Sequence, residues 1–410
     1  MKSYIDDLPL KISLGFLILT EILFWIGPIE YHVHNKALLF FYMIIVNLAL
    51  YLGYKKGTQS FKPSKFRLGI SVIRVVIIIG LVAVFANLSY MWSQKGIAVS
   101  LGSFFDALTK PGDAYHGESM INSTKSTTFV TLTSPFLWAA IPLGIRYWNT
   151  FGKFFKGMTI LIILIDIVAW LGIGTRKGIF DVLIVIIFSM IAVRKDFFSK
   201  SNSIKKLTPY IFTFVVLFLF YFIYSNLSRS GLDLSEMQAE VLSFDPRSGY
   251  DTMPYWLYFS LASVTSYLCQ GYYALGLSLE MGILPLASGG SSWFTIMLAN
   301  RFGSDPTPYT YMAKLEAYGI DMKINWHSAY VWLANDLSFI GVPIFIFIVG
   351  YLFARFWKES LYGGNDIAFI CMPLFAMMVL YFYANNQVFS FSFIPFFFWF
   401  ILYYITRARY

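Results

Sequence analysis

Stretches of about 20 apolar residues recur along nearly the whole chain, and nothing else in the sequence limits the possible folds as sharply. Wound as a helix, such a stretch is long enough to cross a hydrocarbon core about 30 Å thick while satisfying its own backbone groups. Spans are expected over 9–27, 37–54, 69–90, 128–145, 157–172, 178–193, 208–225, 328–354, 367–384 and 388–406. The 410 residues are long enough for several soluble domains, but with 58% hydrophobic, 20% aromatic and only 13% charged residues, lipid is their natural solvent. The fold class that follows is an all-α polytopic membrane protein with about ten transmembrane helices.

Three regions follow one another. Residues 1–225 hold helices 1–7 with an extracytoplasmic loop at 91–127, residues 226–327 form an extracytoplasmic cap, and residues 328–410 hold helices 8–10. The first span follows the polar segment Met1–Asp7 and lacks a small-residue cleavage site, so it reads as a retained helix and not as a signal peptide. Basic residues flanking spans stay on the cytoplasmic side. With the N-terminus inside, every cytoplasmic segment is basic: Lys55 to Arg67, Arg146 to Lys156, Arg194 to Lys206, Arg355 with Lys358, and Arg407 with Arg409. Both termini are then cytoplasmic, in a plasma membrane. The net charge of +9 is a topology signal on this reading, and no nucleic-acid partner is expected. Cys269 and Cys371 lie far apart in apolar contexts and provide neither a disulfide framework nor a metal spacing.

The cap carries both charges and apolar stretches that need a surface to bury against. Ser235–Val241 reads as a short polar helix ended by the turn Asp245-Pro246-Arg247-Ser248-Gly249. The run from Tyr255 to Met281 is long enough to span, yet Ser, Thr, Gln270 and Gly271 interrupt it, and a span here would put Lys358 and Arg407 outside. An amphipathic or re-entrant helix on the outer face is expected instead. Loop 91–127 shows no clear periodicity and reads as a solvated loop.

Three constellations on the outer face can carry chemistry. The turn Gly172-Ile173-Gly174-Thr175-Arg176-Lys177-Gly178 joins two spans. Its two adjacent cations run against the positive-inside rule, which favours a functional reading over lipid anchoring. Arginine binds phosphate through two parallel hydrogen bonds, and glycine lets backbone amides approach. Next, Asn226-Leu227-Ser228-Arg229-Ser230-Gly231 follows the seventh span and, with Arg247, brings more guanidinium groups to the same face. The third is Asn325-Trp326-His327-Ser328, where the cap re-enters the membrane, followed by Asn335-Asp336. Histidine exchanges a proton near neutrality. A hydrogen-bonded structural histidine is the plain alternative. Lys177, Arg247, Arg301 and Asp336 are grouped as substrate-binding candidates around His327, Arg176 and Arg229. No phosphate-binding P-loop, His-Glu-x-x-His helix or Gly-x-Ser-x-Gly turn is present.

These residues resemble the O-antigen and capsule repeat-unit polymerases (Wzy type), which are related to the O-antigen ligases. The likeness is carried by the Gly-Thr-Arg turn, by Arg229-Ser230-Gly231 at the head of the large outer loop, by His327 followed by Gly341, and by the stretch Tyr267 to Leu275 with its Tyr-x-x-x-Gly pattern. The resemblance implies a metal-independent glycosyltransferase of the GT-C class without a cofactor. It implies substrates linked to undecaprenyl pyrophosphate, surrounding membrane lipid, and a chain-length regulator and a flippase as partners in a bacterial inner membrane. It further implies that Arg176 and Arg229 bind the leaving pyrophosphate, that His327 assists the acceptor hydroxyl or orients a phosphate, and that Tyr267 and Gly271 contact substrate. Ser328 and Ala329 depart from the polar residue that usually follows this histidine in the ligases. An O-antigen ligase and a lipid-linked oligosaccharide flippase remain as alternatives. A transporter would carry internal repeats and midplane ionisable residues. Glu21 and Asp166 lie inside spans, but no repeat relates the two halves.

Overall fold

A computed structural model describes residues 4–407 apart from 110–123, 176, 199–208, 210–212, 214–219, 225–244, 251, 324, 387 and 390–391. Among the described residues regular structure is helical, with a single isolated antiparallel bridge between Ile29 and Pro246. The helices used below are α1 (Leu8–Ile26), α2 (Lys36–Gln59), α3 (Ile70–Gln94), α4 (Leu101–Thr109), α5 (Thr124–Arg146), α6 (Lys153–Gly172) and α7 (Lys177–Val193). They continue with α8 (Tyr255–Glu280), α9 (Trp293–Arg301), α10 (Tyr311–Leu315), α11 (Ser328–Lys358), α12 (Asp366–Leu380) and α13 (Phe393–Arg407).

Six helices among the described residues, α1, α2, α3, α5, α6 and α11, are long and apolar enough to cross a membrane. The remaining expected spans differ for physical reasons. α7 has 17 residues. The runs 367–384 and 388–406 contain helices of only 15 residues, because the chain leaves the helix at Tyr381, turns through Ala384 and enters the next of these helices at Phe393. At 1.5 Å per residue, 15 residues cover about 22 Å, less than a hydrocarbon core of about 30 Å. Most of 208–225 lies outside the described residues, as does Ser235–Val241. Part of loop 91–127 is the helix α4, which its sequence did not announce.

Outward-facing side chains identify the solvent. Phe41, Ile45, Leu48 and Leu52 of α2 and Val75, Val82 and Phe85 of α3 are exposed, an apolar surface that suits lipid and not water. Because lipid is as apolar as these side chains, close backbone packing must hold the helices together. Gly53 and Gly57 supply it. A Cβ on either would come within 2.0 Å of the Phe347 carbonyl or 2.3 Å of the Tyr351 carbonyl, so α2 and α11 touch backbone to backbone along parallel paths. Pro343 inside α11 lacks the N–H that would bond the Phe339 carbonyl, and the Tyr42 hydroxyl of α2 donates to that carbonyl at 3.1 Å.

The bundle has two unlike ends. One is an ionic face, where Lys55 pairs with Asp7 (2.7 Å), Arg146 with Asp366 (2.8 Å), Lys358 with Asp6 (3.6 Å) and Arg407 with Glu359 (3.5 Å). Lys55, Arg146, Lys358 and Arg407 all come from segments that the sequence assigns to the inside. At the other end α1 terminates and α2, α7 and α11 begin. There α8, with 26 residues, packs against α1 and α2. Cys269 donates to the Thr20 carbonyl (3.4 Å), the Tyr272 and Thr20 hydroxyls meet at 2.9 Å, and the Asn35 N–H at the start of α2 donates to Glu280 (2.6 Å). The helix thus packs against the last turns of α1 and ends at the start of α2.

Candidate functional site

His327 stands at the start of α11, where the first turn of a helix needs outside acceptors for its N–H groups. The turn after α12 provides them: Ser328 N–H donates to the Ala384 carbonyl (2.7 Å) and Ala329 N–H to that of Phe382 (3.0 Å). The segment just before is tied to α8. Trp326 N–H donates to Gln270 Oε1 (2.9 Å), and the Trp326 ring meets Tyr267 edge-on at 5.6 Å. Gly271 faces the junction, where a Cβ would lie 2.0 Å from the Tyr383 carbonyl oxygen and 2.8 Å from Ser328 N. Of the sequence candidates, His327, Tyr267 and Gly271 therefore share one place, and Gly271 is there because two other backbones occupy the space of a side chain.

The His327 ring is fully buried, and neither nitrogen has a hydrogen-bond partner. Burial pushes its pKa down to about 4, against weaker opposing effects from the backbone of Asn325, the Asp321 carboxylate and the backbone of Ile320. That nearby backbone favours the charged form without reaching hydrogen-bond geometry. At neutral pH the imidazole is uncharged, with one donor and one acceptor nitrogen. Trp332 lies edge-on to it at 6.4 Å, and its buried indole N–H is likewise unpartnered.

Backbone strain collects in the same segments. Three non-glycine residues among those described have positive φ: Ser328 (61°), Ser338 (56°) and Ser288 (45°). Ser328 follows His327, Ser338 breaks α11 shortly after Asp336, and Ser288 lies in the loop that Asp336 holds. Each such residue costs about 1–3 kcal/mol and persists where the surroundings over-determine it, often at functional sites.

Asp336 accepts from three successive amides, Gly289 (2.8 Å), Gly290 (3.1 Å) and Ser291 (3.1 Å). Asn335 works beside it, accepting from Tyr311 N–H (2.8 Å) and donating to the Gly290 carbonyl (3.1 Å). Asn386 donates to the Ser291 carbonyl (2.8 Å), which joins this loop to the turn after α12. Asp336 thus anchors a loop beside the histidine, and its two oxygens are engaged in that task.

The glycine-rich turn reaches the same junction through Tyr381, whose hydroxyl donates to the Lys177 carbonyl at 3.3 Å. Lys177 pairs with the buried Asp181 at 2.9 Å and lies over the Trp170 ring at 5.6 Å. Asp166 is buried within electrostatic reach of Asp181. Two of the turn's glycines serve packing: a Cβ at Gly172 would stand 2.0 Å from the Trp92 indole nitrogen, and one at Gly178 would stand 1.9 Å from the Trp170 ring. Gly174, with φ +68°, makes the turn itself. Arg176 and Arg229 lie outside the described residues.

Two expected substrate ligands stand apart. Arg247 donates to the carbonyls of Gly27 (2.8 Å), Ile29 (3.0 Å) and Phe24 (3.2 Å), so its guanidinium caps the end of α1. Arg301 is exposed at the end of α9. Conversely, sequence reasoning passed over Trp332, Tyr381, Asp181 and Asn386. The spacing of Lys177 and Asp181 at the edge of an apolar run was a usable signal for one of them. Among the described residues no three His, Cys, Asp or Glu side chains are arranged to hold a metal ion. In comparisons with known proteins, no family model matches the chain, and no curated protein or solved structure shows significant similarity to it.

Proposed function

We propose that this chain polymerises polyprenyl-pyrophosphate-linked oligosaccharide repeat units into a surface polysaccharide, O-antigen or capsule, by glycosyl transfer at the His327 face. In this reading it is a GT-C-type, ten-span protein of a bacterial inner membrane, with both termini cytoplasmic and the His327 face outside. His327 takes the proton of an acceptor sugar hydroxyl as that oxygen bonds to the donor's anomeric carbon. The bond from that carbon to the pyrophosphate breaks, and polyprenyl pyrophosphate leaves with the electron pair. Lys177, with Arg176 and Arg229, meets the charge that develops on the leaving group.

The observation that carries this reading is the neutral, buried imidazole with both nitrogens free, on the face that also holds the Lys177 turn. A general base must be unprotonated at the working pH and have an acceptor lone pair free for the incoming proton. Because the ring has no exposed surface, the acceptor reaches it only when the residues packed over it move. That opening rehydrates the ring and returns its basicity toward the ordinary value near 6.5.

The purified protein, reconstituted with a lipid-linked repeat unit, is expected to give a ladder of longer lipid-linked chains, lost in His327→Gln. A single transfer product to a lipid acceptor would assign the ligase alternative. Movement of the lipid-linked sugar across the bilayer without new covalent products would assign the flippase alternative. The latter draws on Glu21, which accepts from Asn47 (2.6 Å) between α1 and α2, and on Asp166 in α6.

A further inference from the structure

The segment after α8 leaves large apolar side chains uncovered. Ile283 is 68% exposed, Met297 59% and Phe302 82%, with Leu286 and Leu298 exposed between them. Met297, Leu298 and Arg301 of α9, with Phe302 just beyond its end, fall along one side at helical spacing. Ile296 on the opposite side is buried, and Trp293 in the first turn lies against Trp332 at 5.4 Å. The helix is firmly built, since Ser292 and Thr295 form a reciprocal capping box at its start and Phe294 stacks on Phe393 at 4.0 Å. Its apolar edge is therefore a fixed surface. Its depth is fixed too, because Asp336 and Asn335 of α11 hold the loop just before it.

Immediately beyond Asp336, α11 turns Leu337, Ile340 (70% exposed) and Ile344 outward, which is the apolar surface of a helix long enough to cross the membrane. The uncovered side chains of 283–302 continue that surface around the end of the bundle. Water is a poor solvent for five large apolar side chains on one short segment, and the neighbouring occupant of the same surface is lipid.

We infer that α9 and its flanks lie in the plane of the membrane interface, with Met297, Leu298 and Phe302 among the acyl chains and Arg301 at the headgroup phosphates. A cation on such a helix extends its charged end to the headgroups while its stem stays in apolar surroundings. The cap is then seated in the leaflet instead of standing clear of it, whatever reaction the protein performs.

The test uses full-length protein in liposomes, with an environment-sensitive fluorophore on Met297→Cys, Phe302→Cys, Ile340→Cys and Lys323→Cys. The native Cys269 and Cys371 are buried and do not compete for label. Probes at 297 and 302 are expected to be quenched by lipids brominated near the headgroup as at 340, and to be several-fold less sensitive to aqueous iodide than the probe at the exposed position 323. Iodide quenching at 297 and 302 equal to that at 323 would overturn the inference. So would shielding present in crowded liposomes but absent in nanodiscs holding one copy, because a second copy of the chain would then be the occupant. Neither readout depends on polysaccharide synthesis, so the inference and the proposed function can fail separately.

Discussion

Gly271→Ala separates two explanations of one residue. The family resemblance makes Gly271 a substrate contact, whereas its surroundings make it a backbone contact among α8, the start of α11 and the turn after α12. The added methyl would stand 2.0 Å from the Tyr383 oxygen and 2.8 Å from Ser328 N, and both atoms are main chain, so no rotamer change relieves the clash. Relief requires α8 to move away or the turn to withdraw. Withdrawal strains the bonds from Ser328 and Ala329 to Ala384 and Phe382, each contributing about 1 kcal/mol net. Overpacking adds about 1–3 kcal/mol, so the total is about 3–5 kcal/mol, a large part of a typical net stability of about 5–15 kcal/mol. Thermal unfolding in detergent, followed by tryptophan fluorescence and size-exclusion profile, should show a markedly lower midpoint or loss of the monodisperse species. Unchanged stability together with weakened substrate use would refute the backbone argument and return Gly271 to the substrate.

Asp336→Asn removes the negative charge that three amides share, and should lower the unfolding midpoint while loosening loop 287–291, read as faster hydrogen exchange at Gly289 to Ser291. Arg247→Ala should destabilise by about 2–3 kcal/mol through three abandoned carbonyls at the end of α1, and Arg247→Lys should recover only part of it because a single ammonium cannot reach all three. His327 has a folded-state pKa of about 4 against an ordinary value near 6.5, so the unfolded chain binds the extra proton between those values. Stability should fall by about 3 kcal/mol as pH drops from 6.5 to 4, and His327→Gln should lack that component of the slope.

The spans were legible because an apolar run of about 20 residues has few alternatives to a membrane helix, and six of them stand where the sequence puts them. What the sequence concealed is where a run stops being helical. Tyr381 to Ala384 is barely more polar than the residues before it, yet it turns, because its carbonyls are needed by the start of α11, far away in sequence. The same blindness affects single residues. Arg247 looks like a phosphate ligand in isolation, and only the fold reveals three helix-end carbonyls within its reach. Gly172 and Gly178 look like flexible hinges until Trp92 and Trp170 fill the space above them. His327 was conspicuous as one of four histidines at a membrane boundary, whereas Trp332, one of eleven tryptophans in an apolar helix, carried no such mark.

Asp366 and His327, buried at opposite ends of the bundle, are partnered differently, and that contrast bears on function. On the ionic face, the fully buried Asp366 receives Leu68 N–H (2.8 Å), the Tyr147 hydroxyl (2.7 Å) and the Arg146 guanidinium (2.8 Å), as a structural charge in a low-dielectric interior should. At the other end, His327 and Trp332 bring three nitrogens into the interior without partners, beside backbone held at positive φ on either side. An unmet buried polar group costs about 1–3 kcal/mol and a strained residue a similar amount. Replacing the histidine by an apolar side chain of similar size would remove part of that cost, so packing and stability give no reason to keep an imidazole there. In the proposed reaction the acceptor hydroxyl would supply such a reason, donating to one ring nitrogen and accepting from the other or from the indole.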